Sequence, residues 1–324
     1  MQNHLEEAPL EFIPHLKSVI WGGEKICRYK NISQPEPNIG ESWEISVVPG
    51  HESVVAQGKY KGYKLTDLIE KFGAEIIGEK VYKRYNGVFP LLVKFIDAND
   101  NLSVQVHPND QLAMKRHNSL GKTEMWYIIE SEKDAKIYSG LKREISKDEY
   151  EHHIAHDTFE SVLAQHASAP GDVFFLPAGR VHAIGSGNLL AEIQESSDIT
   201  YRIYDYGRKD KNGQPRELHT ELAKDAIDFS YHTDYKSPRP SDKEPIKLLA
   251  HCEHFKTNRI LLNGGLRLKL DNSSFTILIC IKGSVKVVYA DGEKTLNAGH
   301  SLLIPACMKN VTLQGKATLL TSRS

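Results

Sequence analysis

The sequence predicts a mainly β protein with α insertions, built on two related β-barrels plus short helical segments. Short runs of alternating apolar and polar residues recur along the chain and are broken by Gly and Pro, as in Ser42–Val48 and Asn101–Pro108. Helically spaced apolar residues are confined to a few stretches between these runs. The segment Gly299–Ala306 (GHSLLIPA) echoes Gly171–Ala178 (GDVFFLPA), with His182 five residues after the first proline and Asn310 five after the second. The second copy therefore reads as the same scaffold without its histidine.

The 324 residues suffice for two or three packed units. With 41 basic and 42 acidic residues the net charge is −1, and no long basic run marks a nucleic-acid surface. Met1–Glu7 has no apolar stretch of the signal-peptide kind, and apolar runs such as Ile277–Ile281 are too short to span a bilayer. Cys27, Cys252, Cys280 and Cys307 lie far apart with no CxxC pair, which predicts free thiols in a reducing cytoplasm. A monomer or homodimer is expected, with nothing in the sequence choosing between them.

Along the chain, Trp21–Gly22–Gly23 reads as a turn with an aromatic anchor. Ser42–Val48 reads as a strand ending at Pro49–Gly50, with Trp43 in the core and Glu44 on the opposite face. Leu65–Phe72 has helical spacing, and two short helices are expected outside the β scaffold over about 62–86. Phe89–Ile96 is a buried strand whose single charge, Lys94, either snorkels or reaches into a site. Asp97–Asn101 turns into Asn101–Pro108. There alternation puts Ser103, Gln105 and His107 on one face and Leu102, Val104 and Val106 on the other.

Further helical segments are expected at about 109–120, 144–164 and 215–229, with Ser146 and Glu149 as a capping box and the last helix running from Glu217 or Leu218 to Ile227. His152, His153 and His156 read as solvated helix surface. Strands are expected from Lys122, over Gly171–Leu176, and around Glu192 and Arg202. Residues 231–245, rich in Ser, Pro, Asp and Lys, read as a linker. The domain reading is a site-bearing unit at 1–230, this linker, and a second, metal-free unit at 246–324.

Two histidines and a carboxylate at strand edges, His107, Glu124 and His182, form a set suited to Zn²⁺, Fe²⁺ or Mn²⁺, with Gln105 as a further oxygen ligand. Glu124 also reads as a strand-edge acid paired with Lys122, and Arg202 as an ion-pair partner of Asp198 or Asp205.

The turn Gly171–x₅–Pro177–x–Gly179–x₂–His182 resembles the second motif of the cupin superfamily, with Ser186 in place of the usual asparagine. The first cupin motif departs further, with Gln105–Val106–His107 where His-x-His is usual. The chain resembles the type I mannose-6-phosphate isomerases of the short bacterial form, through Trp21–Gly23, Gly40–Ser46, Leu92–Asp97, Ser103–Pro108, Gly121–Trp126, Pro177–His182, Glu195–Asp205 and Pro215–His219. That resemblance implies two cupin-like barrels (jelly rolls), and one zinc ion per chain bound by Gln105, His107, Glu124 and His182. It implies a catalytic Arg202, Lys122 and Glu192 beside the substrate, and Ser103 and Lys94 near the sugar phosphate.

The implied reaction interconverts mannose 6-phosphate and fructose 6-phosphate through a cis-enediolate, with Glu192 a candidate base if burial raises its pKa. Two other readings remain open at this point: a cupin Fe²⁺ oxygenase and a non-catalytic sugar-binding cupin. The cations Lys94, Lys122 and Arg202 favour an anionic substrate over the oxygenase.

Overall fold

The computed structural model describes residues 4–33, 35–209 and 213–324; Met1–Asn3, part of the segment read for a signal peptide, lie outside them. Antiparallel strands dominate. One sheet of six runs in the order Val173–Leu176, Glu124–Ser131, Asn188–Glu195, Leu91–Ala98, Ile39–Ile45, His15–Gly23. A second, of five, runs Tyr201–Tyr204, Val104–Val106, His182–Ile184, Lys136–Leu141, Leu163–Ala167. Trp126, Ile128 and Leu190 of the larger sheet pack on Ile137 and Ile184 of the smaller. The remaining space between the sheets is polar, and it holds the site described below.

Neither sheet closes on itself, so the hydrogen-bonded form is an open two-sheet sandwich and not the closed first barrel that was expected. The second unit is likewise one open sheet. Its strands Lys256–Lys269, Thr276–Tyr289 and Asn310–Arg323 each have 14 residues. Laid flat, such a strand would reach about 46 Å. Each is exposed at its middle, where Gly264 pairs with Gly315 and Gly283 with Ala317. The sheet folds over along this line, so that Ile260 and Leu319 share a core with Val287 and Leu313.

Gly283 has φ +80°, and a Cβ there would stand 2.2 Å from the Lys316 carbonyl oxygen. Gly283→Ala is expected to destabilise the protein by about 3 kcal/mol. A urea midpoint unchanged from wild type would show that the fold line does not depend on this glycine.

The sequence echo is also an echo of register. Val173–Leu176 pairs with the strand that opens at Glu124, and Leu176 faces Glu124. Ser301–Ile304 pairs with the strand that opens at Thr276, and Ile304 faces Thr276. The positions matching Glu124 and His182 thus carry Thr276 and Asn310.

Three helices, not two, occupy the first insertion: Leu65–Phe72, Ala74–Ile77 and Glu79–Arg84, divided at Gly73 and Gly78. They are not peripheral. Leu68, Ile69, Ile76 and Ile77 share one core with Phe275, Ile277 and Leu320 of the C-terminal unit. Lys25–Tyr29, another short helix, carried no clear sequence signal. Asp110–His117 is capped by Asn109, whose side chain accepts from Leu112 N. Lys147–Ala155 has the expected box between Ser146 and Glu149, but a 3₁₀ turn, Phe159–Val162, replaces its last turns. The last helix is only Thr220–Lys224. Residues 231–245 hold no helix or strand, yet they are strapped down. The Tyr235 hydroxyl accepts from Leu141 N, and Arg239 pairs with Asp172 at 2.8 Å.

Candidate metal centre and substrate cavity

His107 follows the strand Val104–Val106, Glu124 opens its strand on the facing sheet, and His182 opens His182–Ile184. All three are buried, and their ligand atoms lie within 4.8 Å of one another. His182 Nε2 is 3.4 Å from Glu124 Oε1, and His107 Nε2 is 3.6 Å from Glu124 Oε2. His107 Nδ1 stands 2.9 Å from the Ile199 carbonyl and His182 Nδ1 2.8 Å from the Arg180 carbonyl. A carbonyl only accepts, so Nδ1 carries the proton and each Nε2 lone pair turns towards the carboxylate.

Both Glu124 oxygens and His182 Nε2 lack a hydrogen-bond partner although they are buried. Such orphaned atoms are costly unless something satisfies them. Burial lowers the pKa of His182 to about 4 and that of His107 well below its usual range, so both stay neutral. Burial also raises Glu124 to about 7. Two neutral imidazoles and a carboxylate that converge, with unsatisfied lone pairs on Glu124 and His182, fit a divalent cation.

Gln105 completes this wall. In the smaller sheet it pairs with His182 on one side and Arg202 on the other. It lines a cavity of about 320 Å³ together with Ser103, Lys94, Lys122, Glu192 and Arg202. All the sequence-predicted site residues are therefore brought either to this cavity or to the three-ligand cluster at its end.

The larger sheet presents a cross-strand row. Trp126 faces Glu192, Glu192 faces Lys94, and Lys94 faces Trp43. Side-chain contacts follow the same order. Trp126 Nε1 donates to Glu192 Oε2 at 2.8 Å, Glu192 Oε1 is 3.0 Å from Lys94 Nζ, and Lys94 Nζ lies 4.9 Å from the Trp43 ring centre. Lys94 is thus buried and aimed inward, and does not snorkel. For Glu192, burial alone would raise the pKa, but Lys94 and Lys122 outweigh it and the pKa falls. The expected upward shift is absent because the residue opposite in the register is a lysine.

Lys122 Nζ sits 3.2 Å from His107 Nε2 and 3.3 Å from Glu124 Oε2. The pairing of Glu124 with Lys122 therefore coexists with the metal-type cluster. Arg202 does not pair with Asp205, which is held by Arg208 and Arg216. Arg202 Nη1 instead donates to the Glu217 carbonyl at 2.8 Å, and its buried Nε has no partner.

Sequence reasoning missed Trp43, Glu41 and Lys17 as cavity residues. Trp43 is buried, as expected, but it faces the cavity, where its Nε1 donates to Glu41 at 2.6 Å and its ring carries Lys17 Nζ at 3.5 Å. Glu44 points the other way and pairs with Lys30 at 2.8 Å. Alternation groups Glu41 with Trp43, but which face meets the cavity depends on pairing with the distant Leu91–Ala98 strand.

The sequence matches two family models: phosphomannose isomerase type I, catalytic domain, over residues 10–135, and mannose-6-phosphate isomerase, cupin domain, over residues 245–324. Mannose-6-phosphate isomerase ManA of Bacillus subtilis is 35% identical over 97% of this chain and 98% of that protein. The mannose-6-phosphate isomerase of Streptococcus mutans is 32% identical over 98% of each. A crystal structure of a Bacillus subtilis mannose 6-phosphate isomerase, 36% identical, superposes with a TM-score of 0.87 over 97% of this chain and 99% of that one. A phosphomannose isomerase variant from Salmonella typhimurium, 17% identical, shares the fold with a TM-score of 0.81 over 97% of this chain and 99% of that one. With 32–36% identity sustained along almost its whole length, the chain belongs to the type I mannose-6-phosphate isomerase family of enzymes.

Proposed function

We propose that the protein is a zinc-dependent aldose–ketose isomerase that interconverts mannose 6-phosphate and fructose 6-phosphate. The observation that carries this reading is the convergence of His107, Glu124 and His182, with unsatisfied lone pairs on Glu124 and His182, at the end of a cavity lined by Lys94, Lys122 and Arg202. Zinc would be held by those three residues and Gln105, and when bound it supplies Lewis-acid polarisation of the sugar carbonyl. Membership of the isomerase family and the cationic lining support a phosphorylated sugar as substrate.

The reaction opens the sugar ring and moves a proton between C2 and C1 through a cis-enediolate. Negative charge then grows on oxygen, and Lys122 and Arg202 offer preorganised positive charge to meet it. We assign the C2 proton to the Glu192–Lys94 pair as a unit: Glu192 is its accepting end, and Lys94 Nζ, 3.0 Å away, sets the charge that faces it. Ser103, at 4% exposure, offers a hydroxyl to the phosphate, with the nearby cations contributing charge. Residues 1–230 carry this chemistry, 231–245 connect, and 246–324 act as a metal-free cupin-like cover. The free thiols of Cys27, Cys252, Cys280 and Cys307 fit a cytoplasmic enzyme. Among the described residues, no helix is long and apolar enough to cross a membrane.

The purified protein is expected to contain about one zinc per chain and to convert mannose 6-phosphate. Chelation should remove both metal and activity, and added Zn²⁺ should restore them. Oxygen uptake dependent on Fe²⁺, or no turnover of any phosphosugar, would overturn the reading.

A further inference from the structure

The segment Gly121–Lys122–Thr123, which leads into Glu124, has all three of its amides tied. Gly121 N donates to Asp110 Oδ1 at 2.7 Å, Lys122 N to the Pro108 carbonyl at 3.1 Å, and Thr123 N to Glu195 Oε2 at 2.7 Å. The segment lies hard against its neighbour: a Cβ at Gly121 would stand 2.6 Å from Asp110 N. Glu195 N donates back to the Thr123 carbonyl at 3.1 Å. Two of the three ties are therefore carboxylates, and one of them, Glu195, is buried.

Carboxylates this close repel one another unless a cation stands between them. His254 supplies it. It lies in the turn between Ile246–His251 and Lys256–Lys269, in the C-terminal unit. Its Nδ1 is 3.0 Å from Glu195 Oε1, and the ligand atoms of Asp110, Glu195 and His254 all lie within 4.8 Å of one another. Burial opposes charge on His254, but Glu195 outweighs that and raises its pKa.

We propose that His254 is a positioning residue for the active site, acting through Glu195 and Asp110 to fix the segment that sets Lys122 and Glu124. His254 touches no residue of the metal cluster. Lys122 Nζ, however, contacts both His107 and Glu124, so slack in 121–123 reaches two ligands at once. The C-terminal unit would then be part of the catalytic assembly through one side chain. This inference rests on the isomerase reading above.

The test uses full-length, zinc-loaded protein with His254→Leu, His254→Gln and Asp110→Ala. Zinc release to a chelator, kcat and KM for mannose 6-phosphate, and the melting temperature are measured for each. His254→Leu is expected to release zinc about tenfold faster or more and to lower kcat about as much, with KM changed less than about twofold. His254→Gln, which offers Glu195 a neutral N–H, should recover part of both. Asp110→Ala should shift both in the same direction, and it serves if the leucine variant fails to fold.

Arg84→Gln is the control, because it breaks the Arg84–Glu253 ion pair of the same turn, 2.6 Å long, and should leave zinc release unchanged. Zinc release and kcat within twofold of wild type in His254→Leu and Asp110→Ala would overturn the proposal, as would equal effects from Arg84→Gln. Loss of a second equivalent of zinc from His254→Leu would overturn it in favour of a metal site. If wild type turns over its substrate while these variants match it, only this inference falls; if wild type is inactive, the isomerase reading falls with it.

Discussion

Replacing His182 by alanine is expected to lower kcat for mannose 6-phosphate by about a thousandfold or more, with zinc binding weakened in parallel. The reason lies in how the side chain is held. Its Nδ1 is committed to the Arg180 carbonyl, so Nε2 has a single direction in which to offer its lone pair, and that direction is Glu124. Alanine leaves Glu124 buried and without hydrogen-bond partners, facing only His107 and Lys122. The Trp126 ring centre is 5.3 Å from that of His182, so tryptophan emission reports whether the cavity stays folded. A variant that keeps one tightly bound zinc and turns over within about tenfold of wild type would remove His182 from the metal set.

How much of this was legible in the sequence depends on what each feature needs. Ser103, Gln105 and His107 share a face because alternation within one strand decides it, and no distant contact is required. The Pro177–His182 turn was equally local, with Gly179 at φ +92°. The cross-sheet partners were not local. Trp43 was expected in the core because a buried tryptophan usually is core, and only its register against Lys94 turns it to the cavity. The pKa of Glu192 was misjudged for the same reason: burial raises it, but the lysine opposite in the neighbouring strand wins. Whether the barrels close was not legible either, because closure depends on edge pairing between strands far apart in sequence. The first insertion looked peripheral because its partner, the face around Phe275 and Ile277, comes some two hundred residues later. His254 had no motif at all; its meaning comes from two carboxylates brought to it by the fold.

Glu192→Gln is the second decisive substitution. Glutamine keeps the size of the side chain and an oxygen for the Trp126 indole, but it removes the charge that faces Lys94. If the Glu192–Lys94 pair moves the C2 proton, kcat should fall about a hundredfold or more, in the range ascribed to general acid–base groups, with KM changed far less and zinc still bound. The fall should come with a primary isotope effect on C2-deuterated substrate at least as large as in wild type, because proton transfer then limits turnover more strongly. Lys94→Met alone takes the lysine partner 3.0 Å away from a buried carboxylate, which should cost about 3 kcal/mol of stability and also lower the rate. The double substitution should be no worse than the more damaging single one, since both act on one unit. Near-normal turnover of Glu192→Gln at saturating substrate would take the proton away from this pair. Lys122 would then be the next candidate, because it alone of the remaining cavity lysines touches the metal cluster. A rise in KM with kcat intact would instead make Glu192 a brace that holds Lys94 for binding.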